Sequence, residues 1–336
     1  MAFCDSIRLE KGMYTVGGKN FTQVLESVDP TVNYKGTELE GLDAYQRQLK
    51  RFDIKVSGTG CDMVEKFFST TDSAVLFPEF IARAVRQGMA ECDTLESILA
   101  TTTKVDGIDY RAVSSTTDAS ETNSVAEGTT IRNVNVRTKE KLVSLKKHGR
   151  VFSSSYEALR FQNLDVVAVI LKRIGADLAN ELLTDAVDAL IKGDGSGSDN
   201  AGSVTGSGAT ITYDHLLELW EELSPYKLNT MLAPAATVKE ILALSDMKDS
   251  ITGLYFQGTG KVFTPMGASL FVAPSMDANQ VLGFDKGCAL QMVQSGDILV
   301  DYDKVIDRQL ERATISITAG FSRLFKDAVK VLTYGA

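Results

Sequence analysis

Residues 165–192 read DVVAVILKRIGADLANELLTDAVDALIK, and this stretch decides the architecture. Val166, Ile170, Ile174, Leu178, Leu182 and Ala186 recur at every fourth position, with Val167, Leu171, Leu183, Val187 and Leu190 beside them. That spacing predicts one amphipathic helix. Asp165 is placed to cap its start, and Gly193 to take the left-handed position after its last turn. At 1.5 Å per residue the helix is about 42 Å long, comparable to the width of a globule of this chain length. Lys172, Arg173, Asp177, Glu181, Asp185 and Asp188 rule out a membrane span. Gly175 is the expected bend, since glycine costs about 1 kcal/mol against alanine inside a helix.

Immediately upstream, residues 99–148 change pattern. An outgoing segment carries Val105, Ile108, Tyr110 and Ala112, a polar tip runs from Ser114 to Thr130, and a return segment carries Ile131, Val134 and Val136. Arg132, Asn133, Asn135 and Arg137 interleave the return, as in a strand. The segment predicts a two-stranded arm whose legs of roughly 15 residues reach about 50 Å, against a radius of gyration near 20 Å for the globule. A lone hairpin is marginal in water, so the arm needs a surface on another copy or partner. The alternative for the same composition is an unstructured surface loop.

The flanks complete the outline. Residues 1–35, with Gly17, Gly18 and Pro30, show no sustained period and read as an extended arm. Leu39, Leu42, Tyr45, Leu49 and Phe52 predict a helix closing near Asp53, with polar side chains facing outward. Pro78 is placed as the first residue of a helix bearing Ile81, Ala84, Val85 and Met89, and Gly88 signals its end. The Gly/Ser-rich run 193–208 reads as a mobile connection. Beyond it come a helix at Asp214–Leu223, a buried strand at Asn229–Ala233 and a helix at Ala235–Leu244. Strands follow at Val262–Phe263, Leu270–Ala273, Val281–Phe284, Ala289–Val293, Ile298–Tyr302, Ala313–Gly320 and Ala328–Thr333.

The chain's 336 residues carry 44 acidic and 35 basic side chains, a net charge of −9, and 44% hydrophobic residues, enough for a substantial core. The acidic balance argues against a basic-patch nucleic-acid binder. Met1–Glu10 lacks the basic and apolar regions of a signal peptide, which fits a protein made in cytosol. Cys4, Cys61, Cys92 and Cys288 lie far apart, as reduced thiols do. His148 and His215 have no ligand-like neighbour at helical spacing, and both read as surface or satisfied histidines, so no metal is expected. The sequence contains no G-x-S-x-G, Walker or H-E-x-x-H motif. A calcium loop from Asp194 fails because Asp199 and Thr205 stand where glycine and glutamate are required. Acidic pairs at Glu221/Glu222, Asp301/Asp303 and Asp246/Asp249 leave an acid–base enzyme conceivable, but nothing marks a pair as buried and a solvated face explains them better.

Several local strings, taken in order, resemble the tailed-phage major capsid proteins of the Hong Kong 97-type fold. Ala74-Val-Leu-Phe-Pro-Glu-Phe-Ile-Ala-Arg-Ala-Val-Arg-Gln-Gly-Met89 is similar to the helix that leads into such folds. Val125-Ala-Glu-Gly128 is similar to the tip of their hairpin, the E-loop, and Lys147-His-Gly-Arg-Val-Phe-Ser-Ser-Ser-Tyr-Glu157 to the segment before their spine helix. Leu282-Gly-Phe-Asp-Lys-Gly287 with Ala313–Phe321 resembles the return between their two main domains, and Asp327–Thr333 their closing strand.

The resemblance implies an α+β fold with this division: an N-terminal arm with one amphipathic helix (1–60), a P-domain lead-in (61–98), the E-loop (99–148), P-domain with spine helix and Gly/Ser linker (149–211), a mixed α/β A-domain (212–297) and P-domain closing strands (298–336). It implies a structural protein without catalysis or cofactor, forming hexamers and pentamers with itself and enclosing double-stranded DNA without sequence-specific binding. The shell would be the virion capsid, assembled in host cytoplasm and away from membranes. A portal protein, a decoration protein and, since only residues 1–60 precede the lead-in, a separate scaffolding protein are the other implied partners. Inter-subunit contacts are expected at Lys104, Asp106, Tyr110, Arg111, Glu127, Arg132, Arg137 and Lys139, around the hairpin and its tip. An encapsulin-like compartment shell shares the fold and differs in cargo, and the acidic-pair enzyme is the alternative of another class.

Overall fold

A computed structural model describes residues 3–14, 19–92, 94–116, 127, 135–139, 141–193, 200–245, 247, 262–264 and 266–335. In chain order its helices are α1 (Phe21–Val28), α2 (Ala44–Arg51), α3 (Thr71–Ala74), α4 (Phe77–Ala90), α5 (Thr94–Ile98), α6 (Tyr156–Arg160), α7 (Leu164–Lys192), α8 (Tyr213–Glu222), α9 (Ala235–Ala243) and α10 (Lys286–Ala289). The strands are β1 (Thr101–Val105), β2 (Val113–Thr116), β3 (Asn135–Thr138), β4 (Lys146–Ser155), β5 (Gly202–Thr205), β6 (Thr230–Ala233), β7 (Val262–Phe263), β8 (Ser269–Val272), β9 (Gln280–Phe284), β10 (Leu290–Val305), β11 (Leu310–Arg323) and β12 (Val329–Thr333). No helix among the described residues is long and apolar enough to cross a membrane.

The chain divides into two units, with β4, α7, β10 and β11 contributing residues to both. The first comprises Met1–Cys92, Lys147–Asn180 and Gly296–Thr318. Its core joins Phe21 and Leu25 of α1, Phe67, Phe77 and Phe80, Ile81 and Val85 of α4, Leu164, Val167, Leu171 and Leu178 of α7, and Ile315 of β11. The Phe67 and Phe77 rings lie 5.5 Å apart and tilted, a favoured aromatic geometry. The described residues among 1–35 are therefore not a loose arm. Asn20 caps α1 reciprocally with Gln23, and Ile7, Leu9, Phe21 and Leu25 supply buried surface. The expected helix from Leu39 is shorter at its start, because Asp43 and Gln46 form a capping box that fixes the first turn at Ala44.

Within this unit α4 crosses the spine helix α7 at two glycines. A Cβ on Gly88 would fall on the Lys172 carbonyl, and one on Gly175 on the Val85 carbonyl. α7 continues through Gly175, where the missing side chain admits the close approach of α4. The crossing also selects the buried row. Leu164, Val167, Leu171, Leu178 and Leu182 face inward, while Val166 and Ile170 of the expected row stand outside at 47% exposure each. Gly193, at φ +61° with its N–H on the Ala189 carbonyl, ends the helix as expected.

The second unit comprises Asp93–Lys146, Glu181–Ser295 and Ala319–Ala336. Its six-stranded sheet has the order β5-β12-β9-β6-β8-β7. β12 runs parallel to β5 and antiparallel to β9, and β6 parallel to β8 and antiparallel to β9. Leu216, Leu219 and Leu223 from the α8 segment and Ile241 of α9 join Met231, Val281 and Leu332 in its core. Three expectations change here. The Gly/Ser connection contains β5, held by its backbone ladder with Lys330–Thr333 and by Val204, which is buried in the core. Val329–Thr333, expected in the P-domain, pairs with Gln280–Phe284 and belongs to this sheet. The two expected strands 289–293 and 298–302 are one, β10, which passes Gly296 at φ +70°.

Candidate assembly surfaces

β10 and β11 are central in a second sheet of order β1-β10-β11-β4. β1 pairs in parallel with Gln291–Ser295, so Lys104 and Val105 belong to this sheet and not to a free hairpin leg. The hairpin proper is β2 paired antiparallel with β3, from Val113↔Thr138 to Thr116↔Asn135. Its tip, residues 117–126 and 128–134, lies outside the described residues, and Arg132 with it.

The base of that hairpin is clamped. Ala112, Val143 and Val293 form a small buried cluster with Tyr110 against it. The Lys139 N–H donates to the Ala112 carbonyl at 2.7 Å and the Val143 N–H to the Tyr110 carbonyl at 2.8 Å. Gln291 Nε2 donates to Tyr110 Oη at 2.9 Å and to Thr103 Oγ1 at 2.8 Å. Lys139 Nζ donates to the Arg323 carbonyl at 2.8 Å and Ser322 Oγ at 3.4 Å, while the Arg323 guanidinium reaches the Leu190 carbonyl at 3.0 Å.

Of the residues expected at contacts, Tyr110 and Lys139 thus hold the base. Lys104, Asp106, Arg111, Glu127 and Arg137 are exposed. Gln291 and Arg323 were missed. For Gln291 the signal available was one polar residue inside the apolar run Ala289–Val293, a position at which a buried side chain needs a partner; nothing local marked Arg323, the last residue of β11. Replacing Lys139 with Met should cost about 1–2 kcal/mol, because it removes a charge-assisted bond to a backbone carbonyl. Faster amide exchange at Val113–Thr116, with unchanged exchange in β9 and β12, is the expected readout.

Other surfaces have less chemistry. Val169 is 67% exposed beside Val166 and Ile170 on α7, and Trp220 is 55% exposed on α8. Glu221, Glu222, Asp301 and Asp303 are all exposed, as on a solvated face, and Asp246 and Asp249 lie outside the described residues. No group of three His, Cys, Asp or Glu among the described residues is placed to hold a metal ion. All four cysteines are free. His215 is buried and satisfied: Nε2 lies 3.0 Å from the Ser207 carbonyl and Nδ1 accepts from the Thr212 N–H at 3.3 Å, which assigns the proton to Nε2.

No curated protein matches the chain in sequence. In structure, it resembles a virus-like particle from Pyrococcus furiosus, at 14% identity over 76% of this chain and 98% of that one, with a TM-score of 0.51. The capsid of a native GTA particle matches at 17% identity over 72% and 90%, TM-score 0.51, and that of an empty GTA particle at 16% over 72% and 90%, TM-score 0.50. At such identities the likeness is one of fold. The fold is the α+β Hong Kong 97 type; its spine helix lies where the sequence placed it, while the paired hairpin strands are Val113–Thr116, reaching into the expected polar tip, and Asn135–Thr138. Residues 138–313, from the end of that hairpin through the spine helix to β11, match the model of the phage capsid protein family, more than half of the chain, and the protein belongs to that family.

Proposed function

We infer that this chain is the major capsid subunit of a tailed phage, assembling into hexamers and pentamers of an icosahedral shell around double-stranded DNA. The observation that carries this reading is the hairpin: β2 and β3 are anchored at Ala112, Tyr110 and Lys139, while Arg111, Val113 and Arg137 beside them face solvent. A two-stranded ribbon needs a further surface, and neighbouring copies supply it in a closed lattice. The net charge of −9 fits a container, since packaged DNA is neutralised by counterions and strong wall contacts would hinder release. A separate scaffolding protein, a portal and a decoration protein complete this reading, with assembly in host cytoplasm.

Deleting Ser114–Thr130 and joining Val113 to Ile131 through a short turn should leave a folded, monodisperse subunit and no shells. Particles of normal size from that variant would overturn the hairpin's role. The likeness to a virus-like particle supports a second reading, an encapsulin-like compartment, in which purified shells would contain a protein cargo and no phage DNA.

A further inference from the structure

Three polar side chains of the first unit are buried without the hydrogen bonds that burial demands. Both carboxylate oxygens of Glu311 on β11, the Tyr302 hydroxyl on β10 and Arg160 Nε on α6 are shielded from solvent, with no hydrogen-bond partner among the described residues. The Glu311 side chain has no exposed surface, and the Arg160 guanidinium approaches its Oε1 only to 3.8 Å, through Nη2, which is attraction without a bond. Nearly every buried polar group in a folded chain has a partner, because stranding one forfeits its hydration.

Their surroundings hold these groups where they are. The Tyr302 ring is stacked with Phe68 at 6.0 Å and meets Phe77 edge-on at 5.4 Å. Arg160 lies 5.2 Å from the centre of the Tyr156 ring, and the Tyr156 N–H donates to the Gln309 carbonyl at 3.1 Å, tying α6 to the turn between β10 and β11. β11 is itself flanked by β10 and β4. Burial, and then the neighbouring Glu311 carboxyl, push the Tyr302 hydroxyl above its ordinary pKa, so the phenol keeps its proton and can donate. The chemistry of the three groups selects what completes them. A cation would be repelled by the guanidinium and an anion by the carboxylate. The carboxylate accepts, the guanidinium nitrogen donates and the phenol does either, so a neutral molecule with both donors and acceptors satisfies all three.

We propose that one water molecule is bound between α6, β10 and β11, donating to the Glu311 carboxylate and accepting from Arg160 Nε–H and the Tyr302 hydroxyl. Buried waters typically make about three such bonds, to groups that have no other partner. Arg160 closes α6 and Leu164 opens α7, so the water stands at the root of the spine helix. The contact of α6 with the sheet is then made through a bridging molecule, which is nearly as favourable in enthalpy as a direct bond. All three residues lie in the first unit, and the site belongs to shells and isolated subunits alike, so its failure leaves the capsid reading untouched.

Two measurements on the full chain test this. A diffraction or electron-microscopy map fine enough to show ordered solvent should hold one isolated peak about 2.6–3.2 Å from a Glu311 carboxylate oxygen, Arg160 Nε and Tyr302 Oη. A direct bond from Glu311 to Arg160 Nε or to the Tyr302 hydroxyl, with nothing between them, overturns the proposal. The second measurement has opposite signs for the two cases. A hydroxyl bonded to the water stabilises the fold, so Tyr302→Phe should raise the unfolding constant at least about twofold in urea denaturation. Its map should keep the water on Glu311 and Arg160. A hydroxyl stranded in the fold is better removed, and a Tyr302→Phe variant as stable as the parent chain or more so overturns the assignment. The map of the unmodified chain decides by itself if the variant does not fold.

Discussion

Gly175→Ala should destabilise the unassembled subunit by about 2 kcal/mol or more, although a glycine-to-alanine change inside a helix ordinarily stabilises by about 1 kcal/mol. The sign turns on what the new methyl meets. At Gly175 it would fall on the Val85 carbonyl oxygen and lie 3.0 Å from the Met89 nitrogen; at Gly88 it would fall on the Lys172 carbonyl. All of these are backbone atoms of a packed helix, so no rotamer change relieves the overlap. α4 and α7 have to separate, which loosens Ile81, Val85, Leu171 and Leu178 together. Overpacking of a core costs about 1–3 kcal/mol, and a clash with rigid backbone belongs at or above the upper end. Gly88→Ala should act alike, and the double variant should cost less than the sum of the two, since one separation accommodates both methyls. Urea denaturation of the three variants measures this. Stabilisation by either alanine would mean that the helices do not cross at these glycines.

This crossing also marks where the sequence was legible and where it was not. A 28-residue apolar period, with Gly193 waiting at its end, has few alternatives, and the helix was readable from it. Which of two adjacent apolar rows faces inward was not readable, because Val166/Ile170 and Val167/Leu171 are equally apolar and only the partner helix decides between them. Ser295-Gly-Asp297 has the composition of a turn, yet Gly296 in its left-handed conformation lets β10 continue through it. β5 was hidden for the opposite reason. Its hold is a backbone ladder with one buried side chain, Val204, and a single valine among glycines and serines does not announce a strand. The return strand of the hairpin was visible as alternation, while β2 reaches into what read as the polar tip, and the clamp at the base depends on Gln291 and Arg323, more than 150 residues away in sequence. The most instructive miss is Arg47. As a charged residue between Tyr45 and Leu49 it reads as the solvated face of a helix, and its side chain has no exposed surface at all.

Removing the guanidinium of Arg47 should cost about 3–5 kcal/mol, the range for breaking a buried ion pair from one side. Nε donates to Asp29 Oδ2 at 2.9 Å and one terminal nitrogen to the Asp29 carbonyl at 2.5 Å, while the other reaches the Leu42 carbonyl at 2.7 Å and Thr31 Oγ1 at 3.1 Å. The guanidinium also lies 4.3 Å from the centre of the Tyr34 ring, whose hydroxyl donates to Asp29 Oδ1 at 2.6 Å. Arg47→Met leaves the buried Asp29 carboxylate with the tyrosine alone. Arg47→Lys should recover little, since one ammonium cannot address both faces of this planar arrangement. Arg47→Met combined with Asp29→Leu should cost less than Arg47→Met by itself, because the stranded charge is then gone. Glu26 adds a pH signature. Burial works to raise its carboxyl, but bonds from Thr31 and the Ala44 N–H, together with Arg47, outweigh this and hold it below the ordinary value. A carboxylate held low in the fold contributes stability above its unfolded value near 4.5, and that contribution fades as pH falls through the folded value. Glu26→Gln should therefore be less stable than the parent chain at pH 7, with the gap narrowing below about pH 4. Denaturation of the four variants at both pH values checks the network. An Arg47→Met subunit as stable as the parent would mean that residues 20–51 do not close over this side chain, and that the N-terminal region is the loose arm its sequence suggests.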